Sequence, residues 1–333
     1  MRRLVLFLCA WLLFASLVSP TTVFAAERHK VSLKLQSESW REAENHKPYD
    51  LEPDLRSSLK ASGIDIVDEM QEGKEARLLI AYKERKGESY GAIGSPGKTV
   101  DFGTVISLEL TMISPVGKTL LEVQASCSTP FSVGGTSLYQ AALDELKSEP
   151  LYKKVGLWVL AGLGSSEALR QLLSVVVDKR YRAPIIGLIE QLRFEARQPA
   201  DRAWIALGRE DYTTLAKLGT PAVDPLLAFL AKYHWPHDSA QAANALAEIG
   251  DPSAAKPIVD RALEVAHRHP RGNELLDAVS LFAFAGRLGN AFSIAPLEGF
   301  LREVSNSKGT AFPQELSAAA VSALARIRER VAP

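Results

Sequence analysis

The sequence predicts two unlike parts: a small α+β sheet domain, followed by an all-α array of repeated helix pairs. Three observations carry this. Between Lys30 and Ser128, polar and apolar residues alternate in short runs, the period of half-buried strands. From about Thr136 the alternation gives way to Ala- and Leu-rich stretches of helical period. Within that second part, segments align on recurring glycines and prolines. A chain of 333 residues has room for two cores. Its 23% charged and 47% hydrophobic residues are those of a globular protein.

The amino terminus reads as a cleaved secretory signal, residues 1–25. Arg2 and Arg3 form a short basic region, Leu4 to Val18 is apolar apart from Ser16, and Ser19-Pro20 breaks the run. Val23-Phe24-Ala25 places small residues three before and one before a cut, with Ala26 as a neighbouring option. The apolar run falls short of the ~20 residues of a spanning helix. No later segment is long and apolar enough to serve, so no membrane span is expected after cleavage. The expected location is periplasmic or secreted. Cleavage removes two arginines and no acid, leaving 37 Lys and Arg against 39 Asp and Glu, a net charge of −2. That near-neutral balance gives no electrostatic case for a nucleic-acid partner. Cys127 becomes the one thiol of the mature chain, so no internal disulfide can form. It is expected as a small buried hydrophobe in a strand.

The sheet domain spans 27–132. "KVSLKLQ" predicts a first strand. Leu51, Leu55 and Leu59 line one face of a helix that Gly63 stops. "IDIVDEM", "ARLLIAYKER", "TVISLELTMIS" and "TLLEVQASCS" predict four more strands, with Pro115 to Lys118 as a hairpin turn between the last two.

One stretch in this domain has the letters of a phosphate-cradling loop: "AIGSPGKT", Ala92 to Thr99. Such a loop needs a buried strand before it and a helix after it, whose N-terminus and free N–H groups hold the phosphate. Here polar "ERKGESYG" precedes and the strand pattern "VDFGTVISLELTM" follows. Gly-Lys-Thr recurs at 117 to 119, again between strands, so these letters are expected to turn the chain.

The second part, 136–333, aligns on Gly164, Gly219, Gly250 and Gly289. Each follows an aliphatic residue and precedes Ser165, Thr220, Asp251 or Asn290. Each glycine is expected to end a helix in the left-handed conformation, and its successor to cap the next. A second alignment falls on Pro184, Pro225, Pro257 and Pro296, 41, 32 and 39 residues apart. The first, fourth and fifth residues after each proline form an apolar stripe that Arg261 alone breaks. Proline costs ~3 kcal/mol inside a helix and little in its first turn, so these helices are expected to start or kink there. Gly164 has no matching proline, and Pro184 has no glycine shortly before it. The first repeat is therefore degenerate or out of phase, and about four or five helical pairs fit. "ELSAAAVSALARIRERV" supplies a last helix.

"ALAEIGDPSAAKPIVDRAL" and "LAKLGTPAVDPLLAFL" resemble HEAT repeats of the short phycobilisome-lyase-like type. The resemblance covers roughly Leu157 to Pro333 and is most specific at these two central repeats. It implies an all-α solenoid of HEAT-like helical repeats and a binding scaffold. It does not imply lyase activity, because an exported chain is a poor place to attach a bilin.

No catalytic constellation, cofactor site or metal site emerges. His234 and His237 lie three apart around Pro236, which argues for an inter-repeat loop and against a helix presenting both. His267-Arg268-His269 is expected at a helix end, where cations meet carbonyls. Asp144-Glu145 is expected on a solvated face. A solenoid's stacked second helices line its inner face. Their polar residues Glu190, Arg193, Lys232, Asp260, Arg261, Glu264, Arg302 and Glu303 are the candidate partner-binding set. The expected function is an exported, non-catalytic scaffold or adaptor in a bacterial envelope, holding a protein or peptide partner. The alternatives are a nucleotide- or metal-dependent hydrolase, through Ala92 to Thr99 or through His234 and His237, and an envelope ligand-binding module in the sheet domain.

Overall fold

A computed structural model describes residues 29–40, 47–67, 74–90, 101–128, 138–233, 235–307 and 312–332. The signal segment, Ala92 to Thr99 and His234 lie outside them.

The five expected strands form: β1 (His29–Ser39), β2 (Ile64–Val67), β3 (Ala76–Tyr90), β4 (Asp101–Ile113) and β5 (Thr119–Ser128). They make one mixed sheet in the order β2-β1-β3-β4-β5. β1 runs parallel to β2 and β3, and β3-β4-β5 is antiparallel. Helix α1 (Glu52–Ala61) supplies the crossover that the parallel pair β1 and β2 requires. It buries Leu55 and Leu59, with Leu51 buried at its N-cap. The chain leaves it through Gly63 at a φ of 78°. The β4–β5 turn is closed by Ser114, which accepts from the Gly117 N–H at 3.0 Å and donates its own N–H to the Lys118 carbonyl at 2.8 Å. Strand alternation puts Leu78, Ile80 and Tyr82, then Ile106, Leu108, Leu110 and Met112, then Leu121, Val123, Ala125 and Cys127 into the core.

Helices cover that buried face. α2 (Leu138–Ser148) packs on β4 and β5; α3 (Pro150–Lys153) follows, and α4 (Val155–Gly162) packs on α1 and β5. α4 is apolar all round and buries Val155, Trp158, Val159 and Ala161, as a core helix does. Gly156 permits its approach to α1, since a Cβ there would overlap the Ser62 side chain. One hydrophobic core runs from the sheet into the helices.

The chain continues through α5 (Ser166–Leu172), 3-10 turns at Leu173–Val177 and Lys179–Tyr181, α6 (Arg182–Gln191), α7 (Pro199–Gly208), α8 (Tyr212–Leu218) and α9 (Val223–Lys232). Then come α10 (Pro236–Ile249), α11 (Ala255–Ala266), α12 (Asn273–Leu288), α13 (Ala291–Asn306) and α14 (Gln314–Val331). Contacts sort the later helices into two ranks. α8, α10, α12 and α14 pack in succession, as do α9, α11 and α13, and the ranks meet at α9–α10, α11–α12 and α13–α14.

The proline stripe is the inward side of α6, α9, α11 and α13. Ile185, Leu226, Ile258 and Leu297 are buried, as are Leu188, Phe229 and Phe300. Pro184, Pro225 and Pro257 each occupy the third residue of their helix, whereas Pro296 lies inside α13.

The glycine expectation holds only in part. Gly164, Gly219 and Gly250 have positive φ, of 109°, 70° and 77°. Gly289 does not: its φ is −51°. It is glycine for space, since a Cβ would overlap Ile327 of α14 and the Ala285 carbonyl. Ser165 accepts from the Ala168 N–H at 3.2 Å, and Asn290 forms a capping box with Ser293. Thr220 does not cap, because it lies within the 3-10 turn Thr220–Ala222, which has no side-chain cap. An unforeseen break explains why the two alignments slip at the first repeat. Glu210 takes a φ of 56°, Asp211 caps Thr214 at 2.9 Å, and a helix is thereby added between Pro184 and Gly219. Pro236 also acts against expectation: it opens α10 at its first position, where a missing N–H costs nothing.

Candidate functional site

Two polar networks fasten the sheet to the helices. The first is centred on Glu84. In β3 the even positions point inward, so Glu84 falls on the face of Leu78, Ile80 and Tyr82 and is buried. Its carboxylate accepts from Ser39 Oγ at 2.6 Å, Tyr82 Oη at 2.7 Å, Tyr139 Oη at 2.9 Å and the Tyr49 N–H at 3.2 Å. Burial alone would raise its pKa, but these donors outweigh burial and hold it below the usual value. The same burial and carboxylate push Tyr82 well up and Tyr139 up to about 12. Tyr139 belongs to α2, so the network crosses from strand to helix. Beside it, Asp54 of α1 accepts from Tyr49 Oη at 3.0 Å and Tyr152 Oη at 2.7 Å.

The second network is ionic and surrounds Arg180. Its guanidinium reaches Glu149 at 2.8 and 3.0 Å, Asp178 at 2.7 Å and the Ser126 carbonyl of β5 at 3.3 Å. Glu149 also accepts from Tyr181 Oη at 2.7 Å, and Asp178 from Lys232 Nζ at 2.8 Å. Both acids are buried. Burial raises the Asp178 pKa, yet the hydrogen bonds from Arg180 and Lys232 bring it down to about 2.

Cys127 is 2% exposed, the small buried strand residue the sequence predicts. Burial, and then the Glu149 charge, push its thiol up to about 12, so it stays protonated at neutral pH and is a poor nucleophile. Three of these donors fall on Oε1 and one on Oε2, so the Glu84 carboxylate ties strand to helix.

The partner-binding set is not one cluster. Glu190 and Arg193 are exposed at the end of α6, Arg193 with a φ of 48°. Lys232 belongs to the Asp178 network. Asp260 pairs with Lys256 along α11. Glu264 pairs with Arg261 at 2.5 Å and Arg268 at 2.6 Å. Glu303 meets His267 Nε2 at 3.0 Å, which raises the His267 pKa. Arg302 is exposed. Arg261 stands apart: it is 6% exposed, and its guanidinium donates to the Leu230 carbonyl. A buried arginine in the stripe links α11 to α9 instead of lining open surface.

His237 falls in the first turn of α10, exposed and 3.6 Å from Asp277. Among the described residues, no three His, Cys, Asp or Glu side chains are placed to hold a metal ion. Ala92 to Thr99 lies outside them, but its flanking strands β3 and β4 are antiparallel neighbours paired at Tyr90 and Asp101. Asp144 and Glu145 are exposed as expected, and His267 caps α11. Among the described residues, no helix is long and apolar enough to cross a membrane.

Sequence reasoning missed both networks. Glu84 carried a usable signal, an acid at an inward parity of a strand. Asp178 and Arg180 meet locally at the turn Lys179–Tyr181, but Glu149 reaches Arg180 only through tertiary packing, across 31 residues of chain.

The chain matches no known family model, no curated protein and no solved structure.

Proposed function

We propose that this chain is an exported, non-catalytic scaffold of the bacterial envelope. Its helical part is an α-solenoid of HEAT type that holds a protein or peptide partner, and its sheet part docks to an envelope assembly. The observation that carries this reading is the two-rank stacking of α8 to α14, in which each helix packs mainly on its neighbours in the stack. Such an array presents a long surface built from successive repeats, suited to an extended partner. The second rank also shows apolar surface: Phe292, in the first turn of α13, is 87% exposed.

Equilibrium dialysis of the mature chain with a nucleoside triphosphate, alongside metal analysis, separates this from hydrolase readings through Ala92 to Thr99 or His234 and His237. The scaffold reading expects no metal, and no nucleotide binding that depends on Lys98. One equivalent of tightly held metal, or of nucleotide lost in Lys98→Ala, would overturn it. Amino-terminal sequencing of the exported protein tests the location, with a mature start at Ala26 or Glu27 expected.

A further inference from the structure

Beside the Arg180 network, the helical segments form an open pocket of ≈ 240 Å³ lined by Ser148, Lys153, Lys154, Ser174, Asp178 and Lys232, with Pro150, Val175 and Val177 as its apolar part. These residues arrive from three places: the turn region around α3, the 3-10 segment after α5, and the end of α9. Three lysines face one acid there, and that acid is already neutralised. Asp178 accepts from Arg180 Nε at 3.1 Å, Arg180 at 2.7 Å and Lys232 Nζ at 2.8 Å. The ammonium groups of Lys153 and Lys154 and the hydroxyl of Ser174 have no hydrogen-bond or ion-pair partner among the described residues. Ser148 spends its proton on the Glu145 carbonyl at 2.8 Å, so Ser174 supplies the free hydroxyl donor.

We propose that this cavity is a binding site for an oxyanion, a carboxylate or phosphate group, held by Lys153, Lys154 and the Ser174 hydroxyl. Three lysines against one neutralised acid disfavour a cation, and an oxyanion would give the Lys153 and Lys154 ammonium groups charge-assisted bonds. Lys232 stays on Asp178 and fixes the wall of the site. The site stands whether or not the stacked helices hold a protein.

The test is calorimetric titration of the full mature chain with inorganic phosphate and, separately, with a tetraglutamate peptide at low ionic strength. At least one probe is expected to bind, more weakly at 0.15 M salt, where the Debye length is ~8 Å. Tighter phosphate binding assigns a phosphate ligand, and tighter peptide binding a carboxylate one. The K153A/K154A double variant should lose on the order of tenfold in affinity or more, while Lys256→Ala on α11 should lose nothing. On the unaltered protein, saturating probe should slow acylation of Lys153 and Lys154 relative to Lys256, which settles the matter even if the double variant misfolds. Absence of binding by both probes at low salt, or equal affinity of the double variant together with unprotected lysines, overturns the site.

Discussion

Glu84 shows what a single side chain does in this fold. Its carboxylate is buried and collects four donors from β1, β3, α2 and the segment before α1. Removing it strands three hydroxyl groups and an N–H away from water. Glu84→Ala is expected to cost about 3 kcal/mol, read as a lowered urea midpoint with an unchanged slope. Asp178 adds a pH dependence whose direction follows from its depressed pKa, about 2 against an ordinary 3.8. Its stabilising contribution is complete above the unfolded value and disappears as pH falls through the folded one. Between pH ~4 and ~2 the protein should therefore lose about 2 kcal/mol that Asp178→Asn does not lose. Urea midpoints at several pH values check this; parallel slopes for the two proteins would remove Asp178 from the account. Glu84 should act in the same direction.

At the scale of the element, the repeated glycines divide by cause. Gly250 has a φ of 77° with open space around it, so Gly250→Ala should cost about 1 to 2 kcal/mol of backbone strain. Gly289 has an ordinary φ but is pressed against Ile327 and its own helix carbonyl, so Gly289→Ala should cost more than Gly250→Ala. Thermal unfolding of the two variants side by side ranks them. The sequence could not separate these causes, because both glycines follow an aliphatic residue and precede a capping residue. What it showed well were the periodic features. All five strands, the α1 leucine face, the hairpin turn at Pro115 to Lys118 and the buried proline stripe were legible from alternation and spacing. The α7–α8 break was not, because Glu210 adopts a positive φ without being glycine. Arg261 was visible only as a break in a stripe. Whether such a residue faces solvent or packs depends on the neighbouring helix, here the Leu230 carbonyl of α9.

At the scale of the molecule, the sheet and the first helices share a core, and both polar networks cross between them. The sheet's apolar face is covered by α2 and α4, so removing those helices would expose it. Unfolding of residues 27–333 should accordingly begin with no separate early loss of the sheet, and strand and helix signals should melt together through the junction. Circular dichroism and infrared amide bands followed on one sample check this; a sheet transition well below the helical one would show two independent bodies. Beyond the junction, the stacked helices form the surface that the proposed scaffold function requires. The most direct test places a photo-crosslinking side chain in the native envelope at Glu190 on α6 or Arg302 on α13, and at Gln241 on α10 of the other rank. A discrete protein adduct is expected from Glu190 and Arg302, and none from Gln241. No adduct from either Glu190 or Arg302, or the same pattern from Gln241, would contradict the scaffold reading.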